Sequence, residues 1–243
     1  MDYLTREDGI RLAYHLRKGR GPTIVFLPGY MSDMSGSKVL ALEAWAASEG
    51  RSFLRFDYGG CGQSEGAFED QTLTSWRDDA LLMIDTLING RAILVGSSMG
   101  GWLMLLAALA RPDQIAGLVG IAAAPDFTDW GYSQEQKLEI LSNGQFEQTS
   151  PYGPDPTIIT KAMWQSGEVN RLLQSLVAID CPVRLLHGQR DSDVPWHHSP
   201  HLAATIRSDD VQVILVKDGD HRLSRDQDIA LLLRIVGDLV ERL

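Results

Sequence analysis

Cysteine is scarce in this chain: Cys61 and Cys181 are the only two among 243 residues. That excludes a disulfide framework and fits a reducing compartment. Basic charge is also short, with 22 Lys and Arg against 32 Asp and Glu and a net charge of −10. Such a balance argues against nucleic acid or an anionic membrane surface as the main partner. No apolar run approaches the roughly 18 residues that a membrane span needs. The first eight residues carry neither a basic stretch nor an apolar one, so no signal peptide is read and a cytoplasmic protein is expected.

What is present suits one α/β domain with room for an insertion. Residues 10–17 alternate as a half-exposed strand, and 23–27 are continuously apolar, as buried parallel strands are. A helix is predicted over 38–49, a strand over 52–56, and a helix over 73–88 with Thr72 or Thr74 as its N-cap. Further strands are predicted at 92–96, 115–122, 182–186 and 211–216, and further helices at 199–206 and 227–243. Repeated strand–helix units give a mostly parallel sheet with helices on both faces. Residues 126–178 break the alternation with Gln, Ser, Pro and aromatics, among them Phe127, Trp130, Tyr132, Phe146, Tyr152 and Trp164. Two helices are predicted there, at 134–141 and 158–176, separated by the Pro-rich stretch 150–156. The segment is too short for a core of its own. It reads as a lid over a core made of residues 1–125 and 179–243.

The chemistry concentrates at Gly96-Ser97-Ser98-Met99-Gly100, between an apolar Ile/Leu/Val run and a Leu/Met/Ala helix. This fits G-x-S-x-G on a strand–turn–helix, with Ser98 rather than Ser97 at the apex. The apex is strained, so the residues two before and two after it must lack a Cβ. The following helix aims its N–H groups at the same point. The bare pattern also describes an ordinary Gly/Ser turn, so partners are required. In parallel sheets ligands gather beyond the carboxyl ends of the strands. His187-Gly188-Gln189-Arg190-Asp191-Ser192-Asp193-Val194-Pro195 follows one predicted strand and Asp218-Gly219-Asp220-His221 another, giving the order nucleophile, acid, histidine.

Taken together, Gly96 to Gly101, the His187-Gly188-x-x-Asp191-x-x-Val194-Pro195 loop and the Gly219-Asp220-His221 turn resemble the α/β-hydrolase superfamily across essentially the whole chain. Leu27-Pro28-Gly29-Tyr30-Met31-Ser32, Arg55-Phe56-Asp57-Tyr58-Gly59-Gly60 and Arg184-Leu185-Leu186-His187-Gly188 add a narrower resemblance, to the mitochondrial acyl-glucuronide esterase and protein depalmitoylase subfamily. The absence of a recognisable transit peptide suggests a bacterial-type relative. The resemblance implies a serine hydrolase of acyl esters and S-acyl thioesters, with Ser98 as nucleophile, His221 as base and Asp191 as acid. It also implies an oxyanion hole from the N–H groups of Met99 and, by analogy with the fold's second loop, Tyr30. A serine at the apex argues against dehalogenase or epoxide hydrolase chemistry, where an aspartate attacks. No metal and no organic cofactor is required. The expected partner is a small-molecule or acylated-protein substrate, for a monomer or small homo-oligomer.

Rival roles remain for several residues. Asp193 is the alternative acid, although the loop match favours Asp191. Asp218 and Asp220 read as a solvated turn, and His187 as a local structural hydrogen bond at a strand end. His197 and His201 have the i, i+4 spacing of zinc ligands, but Pro200 lies between them and no Glu motif accompanies them. Cys61 has no base placed for it. The aromatics of 126–178 either pack that segment on the sheet or line an acyl pocket, and the two roles are compatible. A hydrolase-fold binding protein without turnover is the alternative to an enzyme.

Overall fold

The structure is a computed structural model that describes residues 1–150, 153 and 156–243. Tyr152 and most of the predicted separator at 150–156 lie outside the described residues. An eight-stranded sheet forms the centre: β1 (Asp2–Thr5), β2 (Arg11–Arg17), β3 (Arg20–Leu27), β4 (Arg51–Phe56), β5 (Ala92–Ser97), β6 (Ile115–Ile121), β9 (Val183–Gly188) and β10 (Val211–Val216). Its spatial order is β1-β2-β4-β3-β5-β6-β9-β10. The pairs β1–β2 and β2–β4 are antiparallel and every other pair is parallel. The helices of the core are α1 (Ser37–Ser48), α2 (Leu73–Leu87), α3 (Met99–Ala110) and α7 (His198–Thr205), each between two strands, and α8 (Asp226–Arg242) after the last. Among the described residues no helix is long and apolar enough to cross a membrane.

Strand alternation sorts the core into two layers. Ile24 and Phe26 of β3 face a layer with Val39, Leu42 and Ala46 of α1 and Leu232, Ile235, Val236 and Leu239 of α8. Val25 and Leu27 face the other, with Trp76, Ala80 and Met83 of α2 and Trp102 to Ala108 of α3. Each such Leu, Ile or Val contributes about 1.5–3 kcal/mol on burial. Residues Met99–Ala108 of α3 are all buried, so this helix is apolar all round and cannot be an exposed one. Thr72 caps α2 through a capping box with Ser75. Strand β1, on the edge of the sheet and almost wholly exposed, has no apolar alternation to announce it.

Between β6 and β9 the chain forms α4 (Phe127–Trp130), α5 (Gln134–Asn143), the antiparallel hairpin β7 (Gln145–Gln148) and β8 (Thr157–Thr160), and α6 (Lys161–Val169). The helix predicted at 134–141 is α5, started by the Ser133–Gln136 capping box and ended by Gly144 at φ 86°. The helix predicted at 158–176 is not formed as one element. The β-branched run Thr157–Thr160 pairs with β7 instead. Thr160 then caps α6, accepting the N–H of Met163 at 3.1 Å. Beyond α6 the N–H groups of Leu172 and Leu173 are taken by the Asp126 carboxylate at 2.8 and 2.9 Å, which holds this stretch out of helix.

The chain leaves β3 through α1 to β4 on one side, and returns through α2 to β5 on the other. The crevice between the carboxyl ends of β3 and β5 is therefore a topological switch point.

Candidate active site

Ser98 is the single residue between β5 and α3, with φ 54° and ψ −120°. Few residues with a Cβ adopt such a backbone, and it persists only where the surroundings enforce it. Here they do. A Cβ on Gly96 would lie 2.3 Å from the Gly100 carbonyl oxygen, and one on Gly100 would lie 2.0 Å from that of Leu27. The Ser98 N–H donates to the Ile121 carbonyl at 2.9 Å, and its own carbonyl accepts from Gly101 (2.9 Å) and Ala124 (3.1 Å).

Two loops converge on this apex. After β9, Asp191 is held by the N–H groups of Asp193 and Val194, which donate to Oδ1 at 2.9 and 2.8 Å. After β10 comes His221, whose Nδ1 is 2.9 Å from Asp191 Oδ2 and whose Nε2 is 3.2 Å from Ser98 Oγ. An ionised carboxylate only accepts, so Nδ1 carries the hydrogen and Nε2 turns its lone pair to the hydroxyl. Burial pushes the Asp191 carboxyl up, but hydrogen bonds from His187 and His221, the His221 charge and the Val194 N–H outweigh it. The net result holds Asp191 well below the usual carboxylate range. A hydroxyl against an imidazole fixed by a buried carboxylate can lose its proton as it attacks.

Tyr30 and Met99 flank Ser98 on the wall of a cavity of about 660 Å³. Met99 begins α3, so its N–H has no carbonyl to meet within the helix. A Cβ on Gly29 would sit 3.3 Å from both Ser97 O and Ser98 Cβ, a tight fit. Phe127, Trp130 and Tyr132 line the cavity from the 126–178 segment. Phe146 instead packs edge-on against Tyr132, and Trp164 donates to the Thr128 carbonyl at 3.0 Å. Motifs pointed neither to Lys38 nor to Arg222 and Ser224, yet all three line the cavity. The Lys38 ammonium donates to the Arg222 carbonyl and, at 3.4 Å, to Ser224 Oγ, tying α1 to the loop that carries His221. Burial, with Arg222 adding repulsion, pushes Lys38 down to about 8.

The rival residues have other occupations. Asp193 is exposed on the cavity rim and accepts from Ser192 Oγ at 3.0 Å. Asp218 pairs with Arg225 at 2.7 Å, and Asp220 accepts from the Leu223 N–H at 2.9 Å. His198 stacks between Trp130 and His197, with ring centroids 4.2 and 4.9 Å away. Among the described residues no three of His, Cys, Asp and Glu gather as metal ligands. Burial first, and Asp57 and Asp79 after it, push the Cys61 thiol up to about 12, far from a thiolate nucleophile. His187 does make local bonds, to Val194 O and Ser199, but it also reaches Asp191.

Comparison with known proteins agrees with this architecture. The model of the alpha/beta hydrolase fold family matches residues 22–144. A palmitoyl-protein thioesterase ABHD10, mitochondrial, from Bos taurus is 44% identical over 247 residues, covering 100% of this chain and 81% of its own length. The solved structure of alpha/beta hydrolase domain-containing protein 10 from mouse superposes with a TM-score of 0.93 at 42% identity, over 99% of this chain and 98% of its own. A putative hydrolase from Agrobacterium vitis does so with a TM-score of 0.93 at 39% identity, over 98% of each chain. The chain belongs to the α/β-hydrolase fold family and is an enzyme of the hydrolase class.

Proposed function

We propose that the protein is a serine hydrolase that cleaves acyl esters and S-acyl thioesters, binding an apolar acyl group beneath residues 126–178. The observation that carries this reading is His221, set between Ser98 Oγ at 3.2 Å and Asp191 Oδ2 at 2.9 Å. Ser98 Oγ attacks the acyl carbon while His221 Nε2 takes its proton, and Asp191 stabilises the imidazolium that forms. The carbonyl oxygen becomes an oxyanion, met by the N–H groups of Met99 and Tyr30. Collapse expels the alcohol or thiol, which collects the proton from His221. Water then repeats the sequence on the acyl-enzyme and restores Ser98, with no step that calls for a metal or an organic cofactor.

The aromatic wall of Phe127, Trp130 and Tyr132 suits an acyl chain, since such pockets are mainly apolar with a few placed polar groups. The palmitoyl-protein thioesterase activity for which the ABHD10 relatives are named supports an S-acyl substrate, an acylated protein included. Cys61 and Cys181 are both free, which suits a reducing compartment, the cytoplasm on this reading, whereas the ABHD10 relatives are named mitochondrial.

The test is hydrolysis by wild type and Ser98→Ala of matched p-nitrophenyl esters and acyl thioesters of rising chain length. Turnover that vanishes in Ser98→Ala supports the reading, and the chain-length optimum measures the pocket. A wild type that is inert on the whole panel and unlabelled by a fluorophosphonate overturns it in favour of a binding protein.

A further inference from the structure

Behind the acid lies a second histidine. His187, the last residue but one of β9, has its side chain fully buried, and Ser199 on α7 is 1% exposed. His187 Nε2 is 3.1 Å from Asp191 Oδ2 and 2.9 Å from the Val194 carbonyl oxygen. Both neighbours are acceptors, so this nitrogen must carry a hydrogen. On the far side Nδ1 is 2.7 Å from Ser199 Oγ, whose hydroxyl donates to it in the neutral ring. Asp191 is thereby gripped by four donors, with two backbone N–H groups on Oδ1 and two imidazoles on Oδ2.

We propose that His187 is a positioning residue, fixing the Asp191 carboxylate through Nε2–H, with Ser199 locking His187 in the tautomer that can donate. The inference rests on the reading of Ser98, His221 and Asp191 as the reacting unit. The two backbone bonds hold Oδ1 alone and put no donor on the oxygen that faces His221. The His187 donor adds a buried contact to that oxygen, Oδ2, at 3.1 Å. Oδ2 then stays where the Nδ1–H of His221 needs it, and His221 keeps the tautomer whose Nε2 faces Ser98. Misplacing a reacting group by about 1 Å costs on the order of 100-fold in rate.

Three variants separate positioning from packing. His187→Met removes the donor at similar volume, His187→Gln keeps an N–H within reach of Oδ2, and Ser199→Ala removes only the tautomer lock. Each is checked for folding by its unfolding midpoint, then assayed for kcat and KM on the best substrate of the panel. Its proton NMR spectrum is read for the downfield signal of the His221 Nδ1–H. His187→Met should lose about 10- to 100-fold in kcat with KM within about twofold. Ser199→Ala should lose roughly threefold, in line with one neutral hydrogen bond, and His187→Gln should recover most of the activity. The His221 signal should move or broaden in His187→Met and return in His187→Gln. An unchanged kcat and signal in His187→Met, or a Gln variant as poor as Met, overturns the proposal. If His187→Met does not fold, an unchanged kcat and signal in Ser199→Ala overturns it instead. The NMR signature needs no turnover, so an inert wild type whose signal follows this pattern defeats the Ser98 reading and leaves the positioning role standing.

Discussion

One added methyl group separates two regions of this molecule. At Gly96 or Gly100 it would meet a backbone carbonyl oxygen at 2.3 or 2.0 Å, and that carbonyl belongs to a helix or strand that cannot yield. At Gly144, where α5 gives way to the hairpin, it would meet nothing within 4 Å. Around Ser98, backbone locks backbone. Among the described residues of 126–178, side chains tie the elements of the segment to one another. Thr128 receives Trp164 and donates to Glu168, while Arg171 bridges Asp129 and Glu168. A few bonds tie the segment to the body: Thr74 to Ser166 at 2.8 Å, Trp102 to Asn170 at 3.2 Å and Tyr30 to Ile158 at 2.5 Å. Locked backbone suits a centre that must stabilise one transition state. On the proposed reading, a side-chain scaffold can be re-tailored to a new acyl group without disturbing that centre.

If chemistry belongs to the locked region, the largest effect should come from its acid. Asp191→Asn keeps the shape but lets His221 take the wrong tautomer, and kcat should fall by about 10⁴-fold. Asp193→Asn, on the exposed rim, should stay within about threefold of wild type. Equal losses in the two would remove the distinction between Asp191 and its neighbour. Stability should divide the same way. Gly100→Ala forces Leu27 and the start of α3 apart, a loss of about 3 kcal/mol. Gly144→Ala suffers only its φ of 86°, about 1 kcal/mol. Urea unfolding midpoints of the two variants measure the difference directly.

The covering segment should govern selection instead. Phe127→Ala or Trp130→Ala should move the preferred chain length and raise KM for long-chain substrates about tenfold, near 1.4 kcal/mol. Their kcat on acetyl esters should remain within a few fold. A collapse of kcat on acetyl esters would show that the segment also shapes the centre.

The same contrast decides what could be read from the chain beforehand. Ser98, Asp191 and His221 stand beyond apolar strands in loops with little freedom of sequence, so the geometry brings together residues that local pattern had already singled out. The short β-branched run Thr157–Thr160 fits a strand or the first turn of a helix, and only pairing with Gln145–Gln148 turns it into a strand. The Asp126 carboxylate reaches Leu172 and Leu173 some 46 residues further on, and no local spacing announces such a bond. His187 was legible as a strand-end hydrogen bonder, whereas its bond to Asp191 depends on how the following loop turns back. Lys38 needed the packing of α1 against the His221 loop. Strand β1 is too short and too exposed to leave a periodic signal.

The effect most dependent on conditions lies at a contact of residues 126–178 with α7. His198, at the start of α7, lies flat against Trp130 of the covering segment with 26° between the rings. Burial, reinforced by His197 and His201, pushes its imidazole down to about 4. A base whose folded pKa is lowered takes up its proton more readily once unfolded. Its contribution to stability is therefore complete above pH 6.5 and is lost as pH falls towards 4. Each tenfold weakening of proton affinity on folding corresponds to about 1.4 kcal/mol. The stack is partly open to solvent, and screening reduces the expected loss to about 1–2 kcal/mol. His198→Phe keeps a ring against Trp130 without a proton to accept. Its unfolding midpoint should vary less than that of wild type between pH 6.5 and 4, with the two curves parallel above about pH 7. If the curves stay parallel down to pH 4, the contact with Trp130 is insensitive to the charge on His198. The covering segment would then be anchored at that corner by ring packing alone.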